Sequence, residues 1–287
     1  MASQVYPQIK SALRHLDPQQ VSDLAGRPVS VGLISSGSEG FAQMEDALIP
    51  PGASRARRFE LGSTLHRAAG PGAATDFDVT LCDDQLLCPP GAFRFHRSDL
   101  RRTVREVLTA RPDLEIALAR SFQLFRRPVI ARIVRNIATE NAAFTLVAAF
   151  PEILSGVVQL PFAIGDYGSD AAFMTMNQVR MAFLIAAASD REVGYQQQRI
   201  QIAAIVGGAL GWRAVAREME KSIPFGAGLI AKPLVAWAGT WTVGVGLERF
   251  YRIGSGLTRD ERREIYERAL ARGREIVGSL VQLRDQV

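Results

Sequence analysis

Lysine is nearly missing from this chain. It has 287 residues and 34 basic side chains, yet only Lys10, Lys221 and Lys232 are lysines; the others are arginine. The formal net charge is +5, with no Lys-rich tail and no repeated aromatic platform. That pattern lacks the electrostatic footprint of a nucleic-acid binder, so nucleic acid is not an expected partner. The arginine bias has two readings, the composition of a GC-rich genome or contact with phosphate groups.

Histidine and cysteine are scarce as well. His15, His66 and His96 are far apart, none with metal-ligand spacing, and each is expected on a surface or in a loop. Cys82 and Cys88 have five residues between them, unlike the C-x-x-C of redox or zinc pairs, and reduced thiols are expected for both. The start, Met1-Ala2-Ser3-Gln4, has no basic stretch followed by an apolar core and does not read as a secretory leader. Internal repeats and low-complexity tracts are missing too. With no catalytic or metal signature, the chain reads as non-enzymatic and without a cofactor.

What is present is apolar surface to bury. Apolar residues make up 47% of the chain and charged residues 22%, with a mean hydropathy of +0.05. Residues 1–97 read as a small α/β head, Rossmann-like or degenerate GTPase-like, and 98–287 as an Ala/Gly-rich all-α region, mainly α overall. In the head, residues 5–25 predict short amphipathic helices, restarted at Asp17-Pro18 as a cap followed by a proline at the first helical position. Residues 29–34 predict a strand, 39–48 a helix, 55–74 a polar helix and loop, 77–81 an alternating strand and 93–95 a short third strand. Ser98 is the expected N-cap of a helix to Ala110, with Arg102 and Glu106 paired at i,i+4. Pro112 is expected to open a helix to about Phe125, and Pro128 to open another that Pro151 stops. Thr258-Arg259-Asp260-Glu261 spells a capping box for a last helix, with Ile265, Ala269, Ile276 and Leu280 along its apolar face.

Two stretches approach the length a bilayer requires, residues 142–165 and 223–246. The first holds only Glu152 as a charge and is interrupted by Pro151 and Pro161; the second holds only Lys232 and is interrupted by Pro224 and Pro233. Arginine-rich flanks on both sides favour an even number of crossings, hence a two-span hairpin. Gly207, Gly211, Gly226, Gly239 and Gly244 would let helices approach closely, in a membrane or in a compact bundle. Apolar runs at 181–188 and 202–210 need burial of their own.

Two constellations are candidates for a site. The strand–loop–helix over 29–48 stands where a phosphate-binding loop would sit. Its loop, Ser35-Ser36-Gly37-Ser38-Glu39-Gly40, has glycine and serine but lacks the Gly-Lys-Ser/Thr end, and Glu39 brings the wrong charge. Ser35, Ser36, Gly37, Ser38 and Gly40 therefore read as a ligand-binding loop without hydrolysis. Asp76, Asp78, Asp83 and Asp84 around the second strand read as turn-forming residues. The second constellation is polar and set in the apolar half: Asn177, Gln178 and Arg180, then Arg213, Arg217, Glu218 and Lys221. Such groups must pair or line an interface. They read either as a structural network, with Glu218, Glu220 or Asp190 as acids, or as a lipid-phosphate site on Arg213 and Arg217.

The run Asn177-Gln178…Arg180-Met181, Gly207…Gly211-Trp212-Arg213, Ala216-Arg217-Glu218…Lys221…Ile223-Pro224…Gly226, Ala238-Gly239-Thr240…Gly244 resembles an uncharacterised bacterial helical domain. That domain is found after Era-like GTPase domains and in YcjF-type inner-membrane proteins. The resemblance covers about residues 170–250. It implies a membrane-associated accessory module, on the cytoplasmic side of the inner membrane or in the cytoplasm, beside a GTPase-type partner. It also implies that the head is a degenerate GTPase.

Overall fold

In the computed structural model, residues 9, 11–14, 16–68, 77–149, 170–208 and 228–284 are described. The chain divides into two compact units. One is Ser22–Ile130 with Ala187–Arg191; the other is Met1–Val21, Ala131–Ala186 and Glu192–Val287. The division falls beyond residue 97, because the helices that follow the last strand belong to the α/β unit.

In the chain's first part, α1 (Pro18–Gly26) starts on Asp17, whose carboxylate accepts from the Gln19 N–H at 2.9 Å. Then come β1 (Val31–Ile34), α2 (Ser38–Leu48), α3 (Arg55–Gly62), β2 (Leu65–Arg67), β3 (Val79–Asp83) and β4 (Phe93–Phe95). All pairings are parallel, in the order β2-β1-β3-β4. β2, a strand within the expected polar helix and loop, pairs Leu65 with Val31. β3 does not alternate: all five residues are buried, as in a parallel sheet covered on both faces. Gly32 in β1 leaves room for Phe77, whose ring stacks on His66 at 5.2 Å.

The link from β3 to β4, residues 84–92, is too short for a crossover helix. It suffices because three-residue β4 pairs with the last three residues of β3. Turns from Leu86 N–H to Asp83 O and from Ala92 N–H to Pro89 O fold the loop, and Gly91 supplies a φ of +86°. Cys82 and Cys88 are joined by a disulfide across it, with Cα atoms 5.7 Å apart. The expectation of two reduced thiols is thus corrected: the turn brings the cysteines together although their spacing matches no redox motif.

Beyond the sheet, α4 (Leu100–Ala110) is capped by Asp99, which accepts from the Arg102 N–H, rather than by Ser98. Arg102 and Glu106 pair at 3.0 Å as expected. Pro112 opens only a 3-10 turn (Pro112–Leu114) before α5 (Glu115–Ser121). After extended Phe122, α6 (Gln123–Ala149) carries Pro128 inside it rather than at its start. Phe122, Phe125, Val129 and Ile130 are all buried; burying that many large side chains outweighs the cost of about 3 kcal/mol for an internal proline.

The helical unit contains α7 (Asp170–Ala188), α8 (Arg199–Gly208), α9 (Gly228–Ile253) and α10 (Arg259–Arg284). Ile9 and Ala12 pack with Phe144, Phe173 and Met176. Ala138, Trp237, Ala238, Tyr266, Ala269 and Val277 form a second cluster. The buried face of α10 runs through Tyr266, Ala269, Gly273 and Val277, with Leu270, Ile276 and Leu280 packed at its edge, so the expected face is the packed one and Tyr266 is added to it. Its capping box is formed: Glu261 accepts from the Thr258 N–H and hydroxyl, and Thr258 accepts from the Glu261 N–H. Those bonds and Arg249 hold the Glu261 carboxyl down to about 2.

Among the described residues one helix is long and apolar enough to cross a bilayer, α7, and 72% of that stretch is buried inside the protein. It is not one of the two expected spans. Of those, residues 150–165 and 223–227 lie outside the described residues, while 231–247 of α9 are mostly buried. Of the expected close-approach glycines among the described residues, Gly244 meets a neighbour: a Cβ there would come within 2.5 Å of Val134. Gly207 and Gly239 meet nothing within 4 Å, and Gly211 and Gly226 lie outside the described residues.

Candidate functional site

The strand order reverses between β1 and β3, since the chain leaves β1 for one neighbour, β2, and returns to the other. In open parallel sheets ligands bind outside the carboxyl ends of the strands at such a point. The residues there are Ser35 and the loop to Gly40 after β1, Asp83 and Asp84 at the end of β3, and Arg97 after β4.

They form one cluster. Ser35 donates its hydroxyl to Asp83 at 2.9 Å, and the Gly37 N–H turns back on the Ser35 hydroxyl at 3.4 Å. Arg97 reaches Asp83 at 2.5 Å and Asp84 at 3.4 Å. The Gln85 N–H donates to Asp83 at 3.2 Å. Burial pushes the Asp83 carboxyl up, but the Gln85 N–H, Arg97 and Ser35 outweigh it and leave the group below its ordinary value. Asp83 is thus an ionised carboxylate at 3% side-chain exposure, fully matched by its neighbours.

Gly40 shows what the loop is shaped around. A Cβ at this position would collide with the Ser35 hydroxyl and the Asp83 carboxylate. Phosphate-loop glycines let a ligand come close to the backbone; at Gly40 the group that comes close is the Asp83 carboxylate. The N–H groups of Ser38 and Glu39, in the first turn of α2, have no acceptor within the helix. Ser38 and Glu39 are themselves exposed, as is Gly37 before them.

The other aspartates separate by role. Asp78 lies at the opposite end of β3, bonded to Ser30 at 3.0 Å and to Arg27 at 3.4 Å. Its role is structural, and Asp76 lies outside the described residues. Among the described residues no group of acidic, His or Cys side chains has metal-holding geometry. His96 is not a surface histidine: its side chain is 14% exposed and sits 3.3 Å from Glu106, with its backbone N–H on Thr103. His66 is exposed on β2, and His15 lies outside the described residues.

In the helical unit several of the polar residues expected to need partners pair with one another. Asn177 donates to Asn141 at 3.0 Å, Asn141 to Thr240 at 2.9 Å, and Gln178 to Thr240 at 3.3 Å. Arg180 forms a fork on Glu140, both oxygens at 3.1 Å. Glu140 is not one of the acids expected from the sequence. Asp190 instead pairs with Arg57 and Arg120, all three within the α/β unit. Arg213, Arg217, Glu218 and Lys221 lie outside the described residues. Sequence reasoning misses Asp83 with Arg97, and Asn141 with Thr240, because the partners are brought together only by the fold.

Comparison with protein-family models, with curated proteins and with solved structures finds no match for this chain.

Proposed function

We propose that this chain is a non-enzymatic binding protein whose α/β unit takes a nucleotide or related small molecule at the strand-order reversal and does not hydrolyse it. The observation that carries this reading is the Ser35–Asp83–Arg97 cluster with Gly40 packed on it, at the place where open α/β sheets bind ligands. The first turn of α2 offers N–H donors to an anionic group. Hydrolysis is not supported, because no lysine stands in the loop and Glu39 and Asp84 oppose charge on a terminal phosphate. Thermal-shift screening against common nucleotides tests it. A rise in midpoint with one of them, and no phosphate release, is expected; no shift with any would refute it.

A second reading is a membrane-associated accessory protein beside a GTPase-type partner, on the cytoplasmic side of the inner membrane. It rests on the resemblance of residues 170–250 and on the apolar length of α7. The burial of most of α7 inside the protein argues against a span by that helix. Retention of the expressed protein in carbonate-washed membranes would establish insertion; release by mild salt would leave electrostatic attachment.

A further inference from the structure

The helical unit contains a cavity of about 430 Å³. Gln178 of α7, Gln201 and Ile205 of α8, Leu247 and Phe250 of α9, and Arg262 of α10 are among its lining residues. Its size falls in the range of small-molecule sites, which are mostly apolar with a few polar groups. The polar groups differ in one respect. Gln178 donates to Thr240, and Thr242 donates to the Ala238 carbonyl. Gln198, one turn back, uses both ends of its amide, on Gly194 and Glu192. Gln201 is 9% exposed, and its buried carbonyl oxygen has no partner among the described residues.

An unmatched buried carbonyl is costly, so it marks a place for a donor from elsewhere. Arg262 is exposed and adds positive charge at the cavity. Two carboxylates close to it in the chain are engaged elsewhere, Glu261 with Arg249 at 2.6 Å and Glu264 with Arg268 at 3.2 Å. We infer that this cavity binds a single-chain anionic amphiphile. Its chain lies along Ile205, Leu247 and Phe250, an N–H or O–H near its head donates to Gln201, and its anionic group pairs with Arg262.

The test is calorimetric titration of the full chain with N-dodecanoylglycine, which has chain, N–H donor and carboxylate. Binding is expected, about fivefold weaker for dodecanoate, which lacks the donor. Dodecyltrimethylammonium is expected to bind more weakly than either. Ala204→Trp, at an exposed lining position, should abolish binding without changing the unfolding midpoint. Arg262→Gln should weaken N-dodecanoylglycine about threefold or more. Sedimentation with phosphatidylglycerol vesicles separates the sources: cosedimentation lost in Ala204→Trp identifies a bilayer lipid, and binding of the free amphiphile alone identifies a soluble one. No binding of N-dodecanoylglycine, equal binding by both variants, or tighter binding of the cationic amphiphile would overturn the inference.

Discussion

Asp83 shows how one side chain decides what the head can do. It lies at the carboxyl end of β3 against Gly40, and Ser35, Gln85 and Arg97 all direct hydrogen bonds to it. Asp83→Asn should destabilise the protein by about 2 kcal/mol at neutral pH, because Arg97 loses a buried charge partner. The folded-state value of Asp83 is depressed, so this stabilisation is fully present above the unfolded value of about 3.9 and is lost as pH falls through the folded one. Urea denaturation of the wild type and Asp83→Asn should therefore differ at pH 7 and draw together as pH falls through the depressed folded-state value. The serine–glycine loop is visible in the sequence, and its lack of lysine argues against hydrolysis there. What the loop packs against is not visible, since Asp83 and Arg97 stand 48 and 62 residues from Ser35 in the chain.

At the scale of elements, local chemistry sets some boundaries and burial overrules others. The capping box at Thr258 and the Asp17-Pro18 start are satisfied within a few residues, so they read directly from the sequence. Pro128 does not stop a helix, because buried Phe125, Val129 and Ile130 hold both sides of it in one helix. β2 escapes notice because Leu65-His66-Arg67 is a half-polar edge strand with no alternating pattern. Glycines divide likewise by neighbour, which no sequence shows. Gly244→Ala should destabilise by about 1–3 kcal/mol, since its Cβ would press on Val134. Gly239→Ala should stabilise α9 by about 0.5–1 kcal/mol, since nothing lies within 4 Å of that position. Thermal unfolding of the two variants side by side checks both signs.

For the whole molecule, an α/β unit and an all-α unit are present as the composition implies, while the redox state of the cysteines differs. Denatured protein should leave Cys82 and Cys88 unreactive to an alkylating reagent until a dithiol is added. Opening so short a loop should cost about 2 kcal/mol on the chain-entropy view of disulfides, read as a lower urea midpoint. Hydropathy points to two spans, but it measures how apolar a stretch is, and a packed bundle satisfies that need as well as lipid does.

The most direct measurement of the head's role is calorimetric titration of nucleotides into the wild type and into Gly37→Trp. Gly37 is exposed in the loop after β1, and a Cβ there meets nothing within 4 Å, so an indole can cover the carboxyl end of the strands without disturbing the core. Saturable binding by the wild type, lost in Gly37→Trp and unaccompanied by phosphate release, is the predicted result. Binding that persists in Gly37→Trp, or none in the wild type, would contradict a ligand site at the strand-order reversal.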